Sequence, residues 1–145
     1  NGGPLCGCGD RGCLEAFASG PSIVALAEEY IKGGKSTKYR ELANPDITPY
    51  IVSEAAKQGD PVAKRIFTIV GEYIGVGLAS VVTLLNPEKI ITGGGVAAAG
   101  DILMTPIKET LVKRAMPISG STVQVVPAQL GNTAGVIGAS LLIKS

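Results

Sequence analysis

Three cysteines fall within eight positions, in the segment CGCGDRGC, and the rest of the chain contains none. The spacing is C-x-C-x4-C, and the intervening glycines leave almost no apolar side chains to hold the segment together. A disulfide scheme would leave one thiol unpaired, and a redox pair is more often spaced C-x-x-C. The pattern therefore favours a structural zinc site with Cys6, Cys8 and Cys13 as ligands. Three free cysteines in a loop are the alternative.

The zinc hypothesis needs a fourth ligand, because a closed structural site has four protein ligands. The chain has no histidine. The fourth ligand would be Asp10, a water molecule, a partner chain or a residue outside this sequence. Gene products begin with methionine and this sequence begins with Asn1 in a glycine-rich loop, so we expect it to be a piece of a longer protein.

The composition predicts a folded domain with an aliphatic core. Hydrophobic residues make up 46% of the 145 positions and charged residues 17%, which argues against disorder. Thirteen basic and twelve acidic side chains give a net charge of +1, so no nucleic-acid surface is indicated. We find no apolar stretch of roughly 20 residues and no signal-peptide pattern, so we expect no membrane partner and a cytoplasmic location.

Capping residues and prolines divide the first 85 positions into helices. We expect a short helix from about Cys13 to Ala18, one from Ser19-Gly20-Pro21 to Gly33, a brief turn in KSTKYRELANPD, one from Thr48-Pro49 to Gly59, and a long one from Asp60-Pro61 to about Leu85. Glycines at 71, 75 and 77 lie along this last helix. Because each weakens an exposed helix, they predict a close backbone approach to a neighbouring helix or sheet.

The last 60 residues predict a parallel β-α-β unit followed by a helix. The strands are EKIITGGG and TVQVVPA, the helix between them is GDILMTPIKETLVKRA, and the closing helix is GNTAGVIGASLLIK. A strand, a helix and a second strand in this order favour a right-handed crossover with parallel strands. Buried parallel strands need neighbours on both sides, so two strands again suggest a longer protein.

The segment CGCGDRGCLEAFASG resembles the zinc signature of the ROK family of sugar kinases and repressors, C-x-C-G-x-x-G-C-x-E. The matching positions are Cys6, Cys8, Gly9, Gly12, Cys13 and Glu15. PLCGCGDRGCLE and NPEKIITGGG look most like the bacterial glucokinases of this family. The resemblance covers residues 1–145 and implies the C-terminal portion of a sugar kinase domain with an actin-like ATPase (ribonuclease H-like) fold. It divides the chain into a zinc knuckle (1–15), a helical segment (16–85) and a β-α-β-α segment with a glycine-rich nucleotide turn (86–145).

The resemblance also implies roles for individual residues. Glu15 would hydrogen-bond sugar hydroxyls, and Gly93, Gly94 and Gly95 would form part of the adenosine and phosphate site. The fourth zinc ligand would be a histidine upstream of the cysteines, and the catalytic base would also lie upstream, so no catalytic residue is assigned in this chain. Without the resemblance, Glu15 is a helix N-terminal glutamate and the glycines form a steric turn.

As a member of this family, the full-length protein would be an ATP-dependent kinase that phosphorylates glucose or a related hexose at the 6-hydroxyl. It would use structural zinc, ATP and magnesium, contain an additional N-terminal domain, and form a homodimer. The isolated 145-residue chain would be inactive. The alternative is the sugar-sensing domain of a ROK-family transcriptional repressor, which is the one case in which a nucleic-acid partner is expected.

Overall fold

Helices dominate residues 2–43 and 45–142, the part of the chain that the computed structural model describes. The α-helices are α1 (Leu14–Ala18), α2 (Gly20–Lys32), α3 (Lys38–Leu42), α4 (Pro49–Lys57), α5 (Pro61–Leu85), α6 (Asp101–Arg114), α7 (Pro117–Thr122) and α8 (Ala134–Leu142). The strands are β1 (Lys89–Thr92) and β2 (Gln124–Pro127), and short 3-10 helices span Val96–Ala99 and Gly131–Thr133. The predicted helix-rich α/β class with a short parallel sheet is confirmed.

The capping residues expected from the sequence begin two of the helices. At α2, the Ser19 side chain accepts a hydrogen bond from the Ser22 amide at 3.4 Å, and the Ser22 side chain accepts one from the Ser19 amide at 2.8 Å. At α4, Thr48 Oγ1 accepts from the Ile51 amide at 3.3 Å. Each cap satisfies an amide that has no partner within its helix, which is why the helices begin at these residues.

Asp60 caps α5 and also ties a second segment to it. Its carboxylate is only 2% exposed, and Oδ1 accepts from the amides of Val62 and Ala63, both at 2.8 Å. The other oxygen, Oδ2, accepts from the Lys38 amide at the start of α3. Three backbone donors satisfy a buried carboxylate that would otherwise be costly to desolvate.

Glycines on α5 let it approach α6 closely. A Cβ added at Gly71 would lie 2.6 Å from Pro106 Cγ, and one added at Gly75 would lie 2.8 Å from the Ile107 carbonyl oxygen. These distances are shorter than real contacts, so neither position has room for a side chain. The predicted close backbone approach is confirmed at both positions. A Cβ at Gly77 would instead meet the end of the Leu14 side chain from α1, at 2.8 Å.

By length and composition alone, α5 is long and apolar enough to cross a membrane, which differs from our expectation that no segment would be. Its packing provides another reason for that composition. The helix contacts α1, α2, α4, α6 and α7, and the buried side chains of Ile66, Phe67, Val70 and Val82 belong to the main hydrophobic core.

The two strands pair in parallel, as predicted. Lys89 lies opposite Gln124 and Thr92 opposite Pro127, and α6 lies between the two strands in the chain. The Thr92 hydroxyl donates to the Val126 carbonyl at 3.1 Å, and the Ala128 amide donates to the Thr92 carbonyl at 2.7 Å. These bonds fix the point where β1 ends and the glycine-rich turn begins. The six-residue α7, which the sequence did not reveal, lies just before β2 and contacts α5 and α6.

Replacing Gly75 by alanine is expected to destabilise the protein even though alanine is the better helix former. The propensity gain is about 1 kcal/mol, but the new Cβ overlaps backbone of α6, so we expect a net loss of about 1–3 kcal/mol in the free energy of unfolding. Gly77→Ala is the matched control, because its Cβ meets only a flexible side-chain end. Urea unfolding measures both variants, and equal stability of the two would contradict the proposed helix contact.

Asp60→Ala is expected to lower the free energy of unfolding by about 3 kcal/mol, because three amides lose a charged acceptor. Asp60→Asn should fall in between, since its amide oxygen can still cap α5 while its NH₂ group cannot accept from Lys38. Asp101→Ala is the control at an exposed first-turn aspartate. If thermal and urea unfolding showed the same cost for Asp60→Ala and Asp101→Ala, the role of Asp60 would be wrong.

Candidate functional site

The loop before α1 folds back on itself through backbone hydrogen bonds. The Cys6 amide donates to the Asp10 carbonyl at 2.7 Å, and the Gly9 amide donates to the Cys6 carbonyl at 3.0 Å. Gly9 and Gly12 have φ values of 92° and 78°, a region that other residues rarely adopt. The glycines therefore permit the reversals of direction that bring distant thiols to one side of the loop.

The three cysteine sulfurs form one cluster. All three Sγ atoms lie within 4.8 Å of one another, and those of Cys8 and Cys13 are 3.6 Å apart. A tetrahedral site with zinc–sulfur bonds of about 2.3 Å has sulfur–sulfur edges of about 3.8 Å. All three cysteines are free. The donor set and its spacing fit a soft divalent cation, with one ligand position left for a group outside the cluster.

The thiols influence one another electrostatically. A hydrogen bond from the Asp10 backbone amide, followed by those from the neighbouring thiols, holds the pKa of Cys8 below its usual value. Hydrogen bonds with the sulfurs of Cys8 and Cys6, together with desolvation, raise the pKa of Cys13 to about 11. Thiolates this close repel one another. Without a cation, the cluster therefore favours one thiolate, which accepts hydrogen bonds from the neighbouring protonated thiols. A divalent cation would instead favour the ionised form of all three thiols.

Glu15 lies beside this cluster, in the first turn of α1. The Cys6 thiol, which is 6% exposed, donates to Glu15 Oε2 at 3.8 Å, and the carboxylate is otherwise exposed. Packing holds α1 against α5: the rings of Phe17 and Tyr73 stack with centroids 4.5 Å apart. The cysteine loop and α5 together thus fix where the Glu15 carboxylate projects.

The glycine turn after β1 has open space around it. Gly94 has a φ of 92°, and a Cβ added at Gly94 or Gly95 would meet no atom within 4 Å, whereas one at Gly93 would touch Ala128 at 3.4 Å. The turn leads into the 3-10 helix Val96–Ala99, whose Ala97 and Ala98 amides donate to the carbonyls of Gly94 and Gly95. A ligand could therefore approach the peptide groups of the turn. Among the described residues, no hydrogen bond or ion pair joins this turn to Glu15.

A small cavity, which sequence reasoning missed, lies next to the turn. It has a volume of about 80 Å³ and lies between α4 and the 3-10 helix Val96–Ala99, with Gly95 in its wall. Ser53 also lines it, is 6% exposed, and its hydroxyl has no hydrogen-bond partner in the described part of the chain. The one signal in the sequence is a serine among the apolar residues of α4.

Two solved structures match this fold closely enough to define its class, that of sugar kinases and related transcriptional regulators. One is a glucokinase from Streptomyces griseus in complex with glucose and AMPPNP: it is 35% identical, the match covers 97% of this chain and 47% of that one, and the TM-score is 0.82. The other, a regulator homologous to the Escherichia coli MLC protein, is 30% identical over 98% of this chain and 35% of its own, with a TM-score of 0.85.

The chain belongs to the ROK family, whose sequence signature matches residues 1–145. The glucokinase of Thermotoga maritima is 39% identical over 144 residues, which are 98% of this chain and 45% of that protein. The transcriptional repressor Mlc of Escherichia coli is 36% identical over 140 residues, which are 97% of this chain and 34% of the repressor. The chain thus spans less than half the length of these curated relatives.

The thiol cluster leads to a prediction about metal content. We expect close to one zinc per chain in the full-length protein and weaker zinc binding by the isolated 145 residues. Cobalt substitution should produce a sulfur-to-cobalt charge-transfer band that weakens when Cys6, Cys8 or Cys13 is replaced by serine. Ser80→Ala, at an exposed helical serine, is the control. Elemental analysis that found no zinc in the full-length protein would contradict the metal assignment.

Proposed function

We propose that the protein containing this chain is an ATP-dependent hexose kinase that phosphorylates glucose or a related sugar at the 6-hydroxyl. The observation that carries the proposal is the 35–39% identity to glucokinases across nearly the entire chain, together with a solved relative bound to glucose and AMPPNP. Residues 1–145 would form the C-terminal portion of the kinase domain, with the knuckle, helical and β-α-β-α segments at 1–15, 16–85 and 86–145. A cytoplasmic location is part of the proposal, because the cytoplasm keeps cysteine thiols reduced and contains ATP.

In this proposal Glu15 binds the sugar. An ionised carboxylate accepts hydrogen bonds from two hydroxyls, and the place of Glu15 in the first turn of α1, two residues after Cys13, keeps it beside the cysteine loop. Cys6, Cys8 and Cys13 hold a zinc ion whose role is structural, since the loop around them has few apolar contacts. The ion would orient Glu15 indirectly, through the loop and the start of α1.

The nucleotide would bind at Gly93, Gly94 and Gly95, with magnesium on its phosphates. The sugar 6-hydroxyl attacks the γ-phosphorus of ATP, the bond to the β,γ-bridging oxygen breaks, and ADP leaves while the hydroxyl proton passes to a base. We assign no base in this chain: Asp60, for example, is fully engaged in capping α5. The chain alone is therefore proposed to be inactive. An additional N-terminal domain and a homodimer are proposed only because the family resemblance implies them.

A sugar-sensing repressor is the second candidate, favoured by the similarity to Mlc and to the solved regulator. The same segment of the molecule would then bind sugar without transferring a phosphoryl group. The two candidates differ in sequence outside this chain: a phosphate-binding loop and a catalytic aspartate belong to the kinase, and a helix-turn-helix belongs to the repressor.

Glucose-dependent ADP formation by the full-length protein tests the kinase. Glu15→Gln removes a charged acceptor, so we expect the KM for glucose to rise about 10- to 100-fold while the KM for ATP changes little. Glu109→Gln, at an exposed glutamate of α6, is the control. If the wild-type protein formed no ADP, the kinase proposal would be wrong. If Glu15→Gln left the KM for glucose unchanged, the role of Glu15 would be wrong.

A further inference from the structure

The three thiols of the cysteine loop differ in their access to solvent. Cys6 is buried, at 6% exposed, whereas Cys13 is half-buried and Cys8 is exposed. An antiparallel bridge between Leu5 and Arg11 closes the base of the loop, so Cys6 lies next to the bridge and Cys8 lies nearer the tip. Within the described part of the chain, a small solute therefore reaches the sulfur of Cys8 more readily than those of the other two cysteines.

The exposed Cys8 also has a second thiol within close reach. Its Sγ atom lies 3.6 Å from that of Cys13, whereas the Cys6 thiol donates to Glu15 Oε2 at 3.8 Å. The S–S bond of a disulfide is about 2.05 Å long, so the sulfurs of Cys8 and Cys13 need to approach by roughly 1.5 Å to form one. Solvent access and distance therefore select the same pair, Cys8 and Cys13.

We propose that Cys8 and Cys13 form a pair that peroxide oxidises to a disulfide, while Cys6 remains a thiol. A disulfide sulfur does not bind zinc in place of a thiolate, because the thiolate is the metal ligand. Oxidation would therefore leave the loop with one sulfur ligand, at Cys6, which is too few for a structural zinc site. The metal content of the loop would then depend on the redox state of Cys8 and Cys13, and a reducing thiol would restore it.

The oxidant is hydrogen peroxide or an organic hydroperoxide. The Cys8 thiolate attacks a peroxide oxygen, the O–O bond breaks, and Cys8 becomes a sulfenic acid while the thiol proton completes the water or alcohol that leaves. The Cys13 thiolate then attacks the Cys8 sulfur, the S–O bond breaks, and the Cys13 proton completes a second molecule of water. The two thiols lose two electrons, which the peroxide gains. Every reacting protein group lies in the cysteine loop, so the reaction does not depend on the proposed kinase activity.

Disulfide mapping in the full-length protein, both zinc-loaded and metal-free, tests this proposal. After exposure to hydrogen peroxide, the remaining thiols are alkylated and the denatured protein is digested with trypsin. Cleavage after Arg11 separates Cys6 and Cys8 from Cys13, so the expected disulfide joins two peptides, with the alkyl group on Cys6. In the zinc-loaded protein, a chromophoric chelator should detect zinc release in a molar amount equal to that of the disulfide. Dithiothreitol should then restore zinc binding.

Serine variants in the metal-free state are the matched controls. Cys6→Ser keeps the reactive pair and should still form the disulfide, whereas Cys8→Ser and Cys13→Ser should lose it. Ser80→Ala should behave as the wild type. If all three loop thiols of the wild type remained open to alkylation after peroxide treatment, or if the main disulfide contained Cys6, the proposal would be overturned. The wild-type mapping decides this even where a serine variant fails to fold.

Discussion

The close contact between α5 and α6 at Gly71 and Gly75 fixes the positions of both candidate sites. The cysteine loop is positioned through α1, which follows the loop directly and packs on α5 through Phe17 and Leu14. The glycine turn is positioned through α6, which begins just after the turn and its 3-10 helix. A side chain at either glycine would separate the helices and shift the cysteine loop relative to the glycine turn. The spacing of the two sites thus depends on two positions, Gly71 and Gly75, where only glycine fits.

The two sites are held by different physical means. The cysteine loop depends on reversals of the backbone at glycines, on short backbone hydrogen bonds and on three thiols that repel one another once they ionise. The glycine turn is fixed by the hydrogen bonds between the strands at the end of β1 and by the 3-10 helix that follows it, which packs against α4 and α6. A metal ion held by the three cysteines would therefore affect the geometry of the cysteine loop far more than that of the glycine turn. The glycine turn could therefore change without altering the cysteine loop, in a family whose members include glucokinases and transcriptional repressors.

Local signals in the sequence predict much of this structure. Ser19, Thr48 and Asp60 mark helix starts because caps act within four residues, and the thiol cluster follows from the cysteine spacing. Other features depend on contacts between distant positions. The bond from Lys38 to Asp60 joins residues 22 apart, and the cavity beside Ser53 exists only because α4 packs against the 3-10 helix after β1. Likewise α7, only six residues with two serines and a glycine, has weak intrinsic helix propensity and lies against α5 and α6.

The geometry of the cysteine loop also bears on its capacity to vary. Gly9 is exposed and has nothing within 4 Å of where a side chain would begin, so by packing alone any residue would be accommodated there. The positive φ of Gly9 excludes most other residues, because an L-residue would hold a strained backbone at the bend between Cys8 and Cys13. Solvent exposure is therefore a poor guide to mutational tolerance in this loop. An open surface position can be as restricted as one in the hydrophobic core.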